Sequence, residues 1–192
     1  RSGAARENDR ARRPPADRTT RTEGGENIRS NATDKKSWEV LQRLLMPPNA
    51  LCVEVMLRTG LRVSDVLAIR TEQVKSCRLT VSESKTGKTR TVRLPQSVID
   101  RMRSQAGRVY VWEHAKSEDK HRTRQAVWWD VKRAAKAMRI PLQISPHSAR
   151  KSYACALYRR TGDIYKVQSL LNHDRLETTV LYLLDEFARR SL

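Results

Sequence analysis

The sequence contains no run near the roughly 18 apolar residues needed to span a bilayer, and no apolar signal segment opens it. An integral membrane protein is not expected. Cysteine is scarce and unpatterned: Cys52, Cys77 and Cys155 are odd in number and show no C-x-x-C spacing. That disfavours a disulfide framework or a zinc finger and points to a reducing, cytoplasmic setting. Strands alternating with helices are lacking, and so is any internal repeat, which removes nucleotide folds and solenoids. Acidic residues are in deficit, 21 against 39 Lys plus Arg, for a formal charge of +18 and a pI near 10.6 over 192 residues. Such a balance excludes acidic partners as a general expectation and favours nucleic acid. The length suits one domain with a tail.

Large apolar side chains are almost missing from residues 1–34, where Ile28 stands alone. Such a stretch buries too little surface to offset its conformational entropy, so it is expected to be a disordered, basic and polar segment. It holds eight Arg against six acidic residues, net +2, which leaves +16 to residues 35–192. A folded region this basic repels itself, and a phosphate backbone would offset that repulsion by counterion release.

Beyond residue 35 the apolar spacing turns helical. Trp38, Leu41, Leu44 and Leu45 mark a first helix ended by Pro47-Pro48, and Asn49 caps a second that stops at Thr59-Gly60. Ser64 caps a short third helix. Arg78–Ser82 and Thr89–Leu94 alternate as two strands around a turn at Gly87, a β-hairpin. Ser97–Ser104 is a short helix, Val109–Trp112 a brief extended piece, and Val127 to Met138 a long helix. Pro146 opens a helix that Gly162 ends. Two more carry Ile164 to Leu171 and Glu177 to Phe187. The expected class is mainly α with a small antiparallel β-hairpin.

Four segments hold polar residues suited to chemistry. In Thr59-Gly-Leu-Arg-Val-Ser-Asp-Val66, Arg62 sits at a rigid junction between helices, and the plain alternative is a surface Arg paired with Asp65. The hairpin tip Ser84-Lys-Thr-Gly-Lys-Thr-Arg90 is basic but is not a P-loop, since the G-x-x-x-x-G-K spacing is missing. In His147-Ser-Ala-Arg150 both functional side chains share one helix face. Finally, Leu171-Asn-His173 precedes Thr178-Thr-Val-Leu-Tyr182, where Tyr182 also reads as an ordinary core residue among Leu181, Leu183 and Leu184.

Taken in order, these segments resemble the catalytic domain of the tyrosine recombinases, the phage integrase family, over about residues 35–190. The resemblance implies catalytic roles for Arg62, Lys85, His147, Arg150, His173 and Tyr182, with Asp65 orienting them and Lys88 and Arg90 as DNA contacts. Asn172 stands where the family usually has Gly, and Ala149 where a larger apolar residue is usual. The resemblance implies double-stranded DNA as partner, a homo-oligomer on DNA, no cofactor and no metal. It further implies a prokaryotic or phage-encoded protein associated with the nucleoid.

The residue types suit phosphoryl transfer. Two Arg side chains can clamp the non-bridging oxygens of a phosphodiester, whose charge grows in the transition state. A phenol with an ordinary pKa near 10 attacks well only if its proton is removed, and His147 is suited to that. Lys85 can protonate the departing 5′ oxygen. The product is a covalent 3′-phosphotyrosine. Two other readings stand beside a site-specific recombinase: a type IB topoisomerase-like nicking and closing enzyme, and a non-catalytic DNA-binding regulator.

Overall fold

The computed structural model describes residues 31–140 and 143–190. Its elements in chain order are α1 (Lys35–Leu44), α2 (Pro47–Thr59), α3 (Val63–Leu67), β1 (Arg78–Ser82), β2 (Thr89–Arg93), α4 (Gln96–Gln105), β3 (Glu113–His114), β4 (Ser117–His121), α5 (Arg124–Ala137), α6 (Pro146–Thr161), α7 (Ile164–Leu171) and α8 (Leu176–Arg190). A 3₁₀ turn at Thr71–Gln73 links α3 to β1. The described residues are mainly helical with two separate two-stranded antiparallel sheets, β1-β2 and β3-β4.

The main core lies between α1, α2, α4 and α5, with Leu79, Val81 and Val92 of the first hairpin facing it. Their alternation along β1 and β2 is the period-2 pattern of a half-buried sheet. The register pairs Leu79 with Val92, so the two apolar side chains stack on one face. A second, smaller core joins α6, α7 and α8 through Ala154, Leu157, Val167, Leu171 and Leu183. Helix α2 packs along α6 and bridges the two cores.

Gly60 ends α2 in the left-handed region, at φ 68°. A Cβ there would lie 2.4 Å from the Tyr153 ring of α6, so both backbone conformation and close approach require glycine. The chain can then turn at once into Leu61-Arg62 and α3.

Several expectations are corrected. Pro47 and Pro48 do not end α1; they are the first two residues of α2, where a missing N–H costs nothing. Asn49 therefore lies inside α2 and does not cap it. Its side chain donates to Asp130 Oδ2 at 2.7 Å, and Arg122 Nε donates to its Oδ1 at 2.7 Å. Helix α3 begins at Val63 with Arg62, not Ser64, as its capping residue. The second hairpin was not expected, because Ser117-Glu-Asp-Lys-His121 has no apolar alternation; Arg108 ties it down through Glu118 at 2.9 Å and Asp119 at 3.3 Å. The folded part also starts before residue 35. Ala32 and Thr33 are buried, and the Thr33 N–H donates to Ser152 Oγ at 3.0 Å. These small side chains dock through backbone hydrogen bonds and need no large apolar group. The expected disorder of residues 1–30 lies outside the described residues.

The final helix packs on its own domain. Phe187 meets Tyr158 edge-to-face with ring centroids 5.4 Å apart, while Leu184 stays half exposed. Among the described residues, no helix is long and apolar enough to cross a membrane.

Asp130 holds the α1–α2 junction to α5. It accepts from the Met46 N–H at 2.8 Å, from Asn49, and from Arg133 at 2.7 Å. Burial raises its pKa, but these hydrogen bonds and the Arg133 charge outweigh that and lower it overall. Asp130→Ala strands several donors and is expected to cost about 2–3 kcal/mol of unfolding free energy by urea titration. With the folded pKa below the unfolded one, the wild-type advantage should be complete above about pH 4 and fade as pH falls below it.

Candidate active site

Four of the six residues singled out in the sequence as catalytic meet at one cleft of about 820 Å³. Arg62, Ser64, Lys85, His147 and Arg150 line it, together with Trp128 and Arg124 of α5. Tyr182 and His173 lie behind this wall in the α6–α7–α8 core, each less than a tenth exposed.

Tyr182 is on α8, two turns from its start. Its ring is held edge-to-face by His147, with centroids 5.0 Å apart, and by His173 at 4.7 Å. The ammonium of Lys151 lies 5.6 Å from the ring centre and is itself buried. Pro146 and Ser145 set this geometry by starting α6 immediately before His147; the Ser145 N–H donates to Ser148 Oγ there at 3.1 Å. His173 follows the left-handed Asn172 (φ 49°), which ends α7 and turns the chain toward α8. Thr179, fully buried, shares a hydrogen bond of 3.0 Å with His173 Nδ1. That leaves Nε2 of both histidines buried without a hydrogen-bond partner.

Both histidines are neutral at physiological pH. Burial, then the positive charges of Lys151, Arg150 and Arg62, pushes the His147 pKa down to about 4. Burial, then Arg150, Arg62, His147 and Lys85, pushes His173 down to about 3. A neutral imidazole can accept a proton, and a ring surrounded by cations returns it readily.

Arg150 is 1 % exposed. Its Nη1 donates to the Gly60 carbonyl at 2.5 Å and its Nη2 to the Leu171 carbonyl at 2.6 Å. The expected two-oxygen fork is therefore already used by backbone, and Nε is the buried donor left without a hydrogen-bond partner. Arg62 differs. Its Nη1 donates to Glu83 Oε2 at 2.7 Å, its one hydrogen bond among the described residues, and it keeps 16 % side-chain exposure at the cleft.

Asp65 does not pair with Arg62. It is fully buried and accepts from the Ser84 N–H at 3.0 Å and the Ser84 hydroxyl at 2.8 Å, which anchors the turn that carries Lys85. Lys85 itself is exposed at the cleft wall. Lys88 is exposed and pairs with Asp174 at 3.6 Å. Arg90 does not face outward as a DNA contact would. It turns inward, and its guanidinium donates to the carbonyls of Thr59 and Leu170, with Glu83 3.8 Å away.

Sequence reading missed Glu83, Thr179 and Lys151. Thr179 stands inside a motif and Glu83 and Lys151 directly beside one, but their roles show only in the partners that folding brings: His173 for Thr179, Arg62 and Asn172 for Glu83, Tyr182 for Lys151. The left-handed Asn172 was noted only as a departure; its amide donates to Glu83 Oε1 at 2.9 Å, a bond that Gly could not make. Among the described residues no His, Cys, Asp or Glu side chains cluster as a metal site.

The fold is that of a tyrosine recombinase catalytic domain. The catalytic domain of bacteriophage HP1 integrase superposes with a TM-score of 0.61 at 21 % identity, covering 80 % of this chain and 86 % of that one. XerH site-specific recombinase bound to palindromic difH substrate, a post-cleavage complex, superposes with a TM-score of 0.67 at 18 % identity, covering 84 % and 51 %. In sequence, the chain is 32 % identical over 137 residues to a tyrosine recombinase of Thermosipho africanus, covering 68 % of this chain and 47 % of the relative. The chain belongs to the phage integrase family, whose model matches residues 31–189. It spans about half the length of the curated relatives that it matches.

Two outcomes follow from this geometry. Arg90→Ala should lower unfolding free energy by about 2–3 kcal/mol, because it deletes charge-assisted bonds to two helix ends, whereas Lys88→Ala should stay within about 0.5 kcal/mol of wild type. Calorimetry at neutral pH compares them; equal stability of the two variants would contradict the inward placement of Arg90. The depressed folded pKa of His147 makes its contribution to stability complete above about pH 6.5 and lost as pH falls toward about 4. His147→Gln should therefore flatten the decline of stability across that window in acid titrations.

Proposed function

We propose that this chain is the DNA-cleaving and rejoining domain of a site-specific recombinase, acting on double-stranded DNA through a covalent 3′-phosphotyrosine. The observation that carries this reading is the setting of Tyr182: a phenol held between two neutral imidazoles, beside Arg150, behind a cleft with an arginine and a lysine on its wall. The curated relatives are named tyrosine recombinases, which supports the same reading.

The steps use this chain's own groups. The scissile phosphate enters the cleft and takes hydrogen bonds from Arg62, from Arg150 Nε and from Nε2–H of His173. The Tyr182 oxygen attacks phosphorus as His147 Nε2 accepts its proton. The bond from phosphorus to the 5′ oxygen breaks, and Lys85 gives that oxygen a proton. The phosphoester energy is kept in the tyrosyl bond, so rejoining is the reverse attack by a 5′-hydroxyl. Attack by a 5′-hydroxyl from a second duplex exchanges strands, which calls for several copies of the chain on DNA. Family membership favours exchange over simple relaxation.

Tyr182→Phe should abolish the covalent adduct with a nicked DNA duplex while leaving DNA affinity within about twofold, since the hydroxyl does chemistry and not binding. Arg62→Lys should slow cleavage by roughly 10²–10³, because an ammonium cannot serve two oxygens at once. An adduct of normal yield in Tyr182→Phe would move the nucleophile elsewhere. Relaxation of a supercoiled plasmid with no strand exchange between sites would favour the nicking-closing reading, and DNA binding with no adduct the regulator.

A further inference from the structure

Among the described residues, Glu83 is the one buried carboxylate that reaches three separate parts of the site. It is fully buried at the end of β1, outside every motif that suggested function. Its Oε2 takes the Arg62 hydrogen bond at 2.7 Å, and its Oε1 takes the Asn172 amide at 2.9 Å and lies 3.8 Å from Arg90 Nη1. Arg62 precedes α3, Arg90 is on β2, and Asn172 is the residue before His173. A buried charge left unpaired is costly, so this carboxylate persists only while these donors surround it.

We propose that Glu83 is a positioning residue: through Arg62 and Asn172 it sets the placement of the cleft arginine relative to the His173 turn, and so to Tyr182. This rests on the catalytic reading given above. The carboxylate touches neither phosphate nor phenol. It holds one end of the Arg62 guanidinium, which leaves Nε and Nη2 as the donors for a substrate oxygen. It also fixes a left-handed residue whose successor carries a ring 4.7 Å from Tyr182. One anion among Arg62, Arg90, Arg150 and Lys85 further limits their mutual repulsion before DNA arrives.

A positioning role and a general loss of folding separate by sign. Removing a negative charge strengthens attraction to a phosphate backbone, so affinity should hold or rise while chemistry fails. Glu83→Gln keeps size and an acceptor for Asn172 but presents Arg62 with no charge. In single-turnover cleavage at saturating nicked duplex, its rate should fall roughly tenfold or more, with Kd for DNA unchanged or tighter. In the DNA-free protein, the imidazole resonances of His173 should shift, while those of His114 and His121 on the second hairpin stay in place. Should Glu83→Gln fail to fold, Asn172→Gly keeps the left-handed backbone, deletes only the amide bond, and should move the His173 resonances likewise.

Wild-type rate and wild-type His173 resonances in a folded Glu83→Gln variant would overturn the proposal. So would a fall in rate matched by an equal loss of DNA affinity. The resonance arm needs no DNA and no turnover. If wild-type protein formed no adduct, the catalytic reading would fail while the Glu83 link was still decided by the His173 signals.

Discussion

Two arginines stitched to two helix ends hold the site together. Arg90 bridges the carbonyls of Thr59 and Leu170; Arg150 bridges those of Gly60 and Leu171, one residue further along each chain. The carbonyls at the C-terminal ends of α2 and α7 lack helical partners and carry the negative end of each helix dipole. Two planar, forked cations supply donors for all four. The chain leaves those ends at Arg62 and at His173, so fixing the ends fixes both residues.

The same arrangement governs the electrostatics. Arg150 is taken out of water, and what compensates is the carbonyl pair together with Tyr182 and the Glu83 carboxylate nearby. With Arg62, Lys85 and Lys151 also close, the histidines are kept neutral by burial and by cations together. A site with donors in surplus and neutral imidazoles among cations is electrostatically complementary to an anion. In the proposed reaction the unpartnered Nε of Arg150 and Nε2 of His173 face that anion, while the unpartnered Nε2 of His147 takes the phenol proton.

Much of this was legible in the chain. Helical and alternating apolar periods located most helices and the first hairpin, because burial of one face is a local property of spacing. The functional motifs were legible because Arg62, Arg150 and His173 stand at helix junctions or starts, and their order matches a known family. The second hairpin was not, since charged residues carry no period. Pro47-Pro48 was misread because a proline pair ends one helix and begins another with equal ease; in the fold both open α2, and Asn49 behind them reaches Asp130.

By itself, the sequence determined the helical class, the basic character of the folded part and the set of residues suited to phosphoryl transfer, all of which depend on local spacing and composition. Only the tertiary structure decided which partner each charge takes. It paired Arg62 with Glu83 and not with Asp65, turned Arg90 inward, and engaged the Arg150 fork with backbone. The reason is physical: a buried charge goes to whatever compensation its final surroundings offer, and those surroundings are assembled from α2, the β-hairpin and α7, up to 111 residues apart in sequence between Thr59 and Leu170.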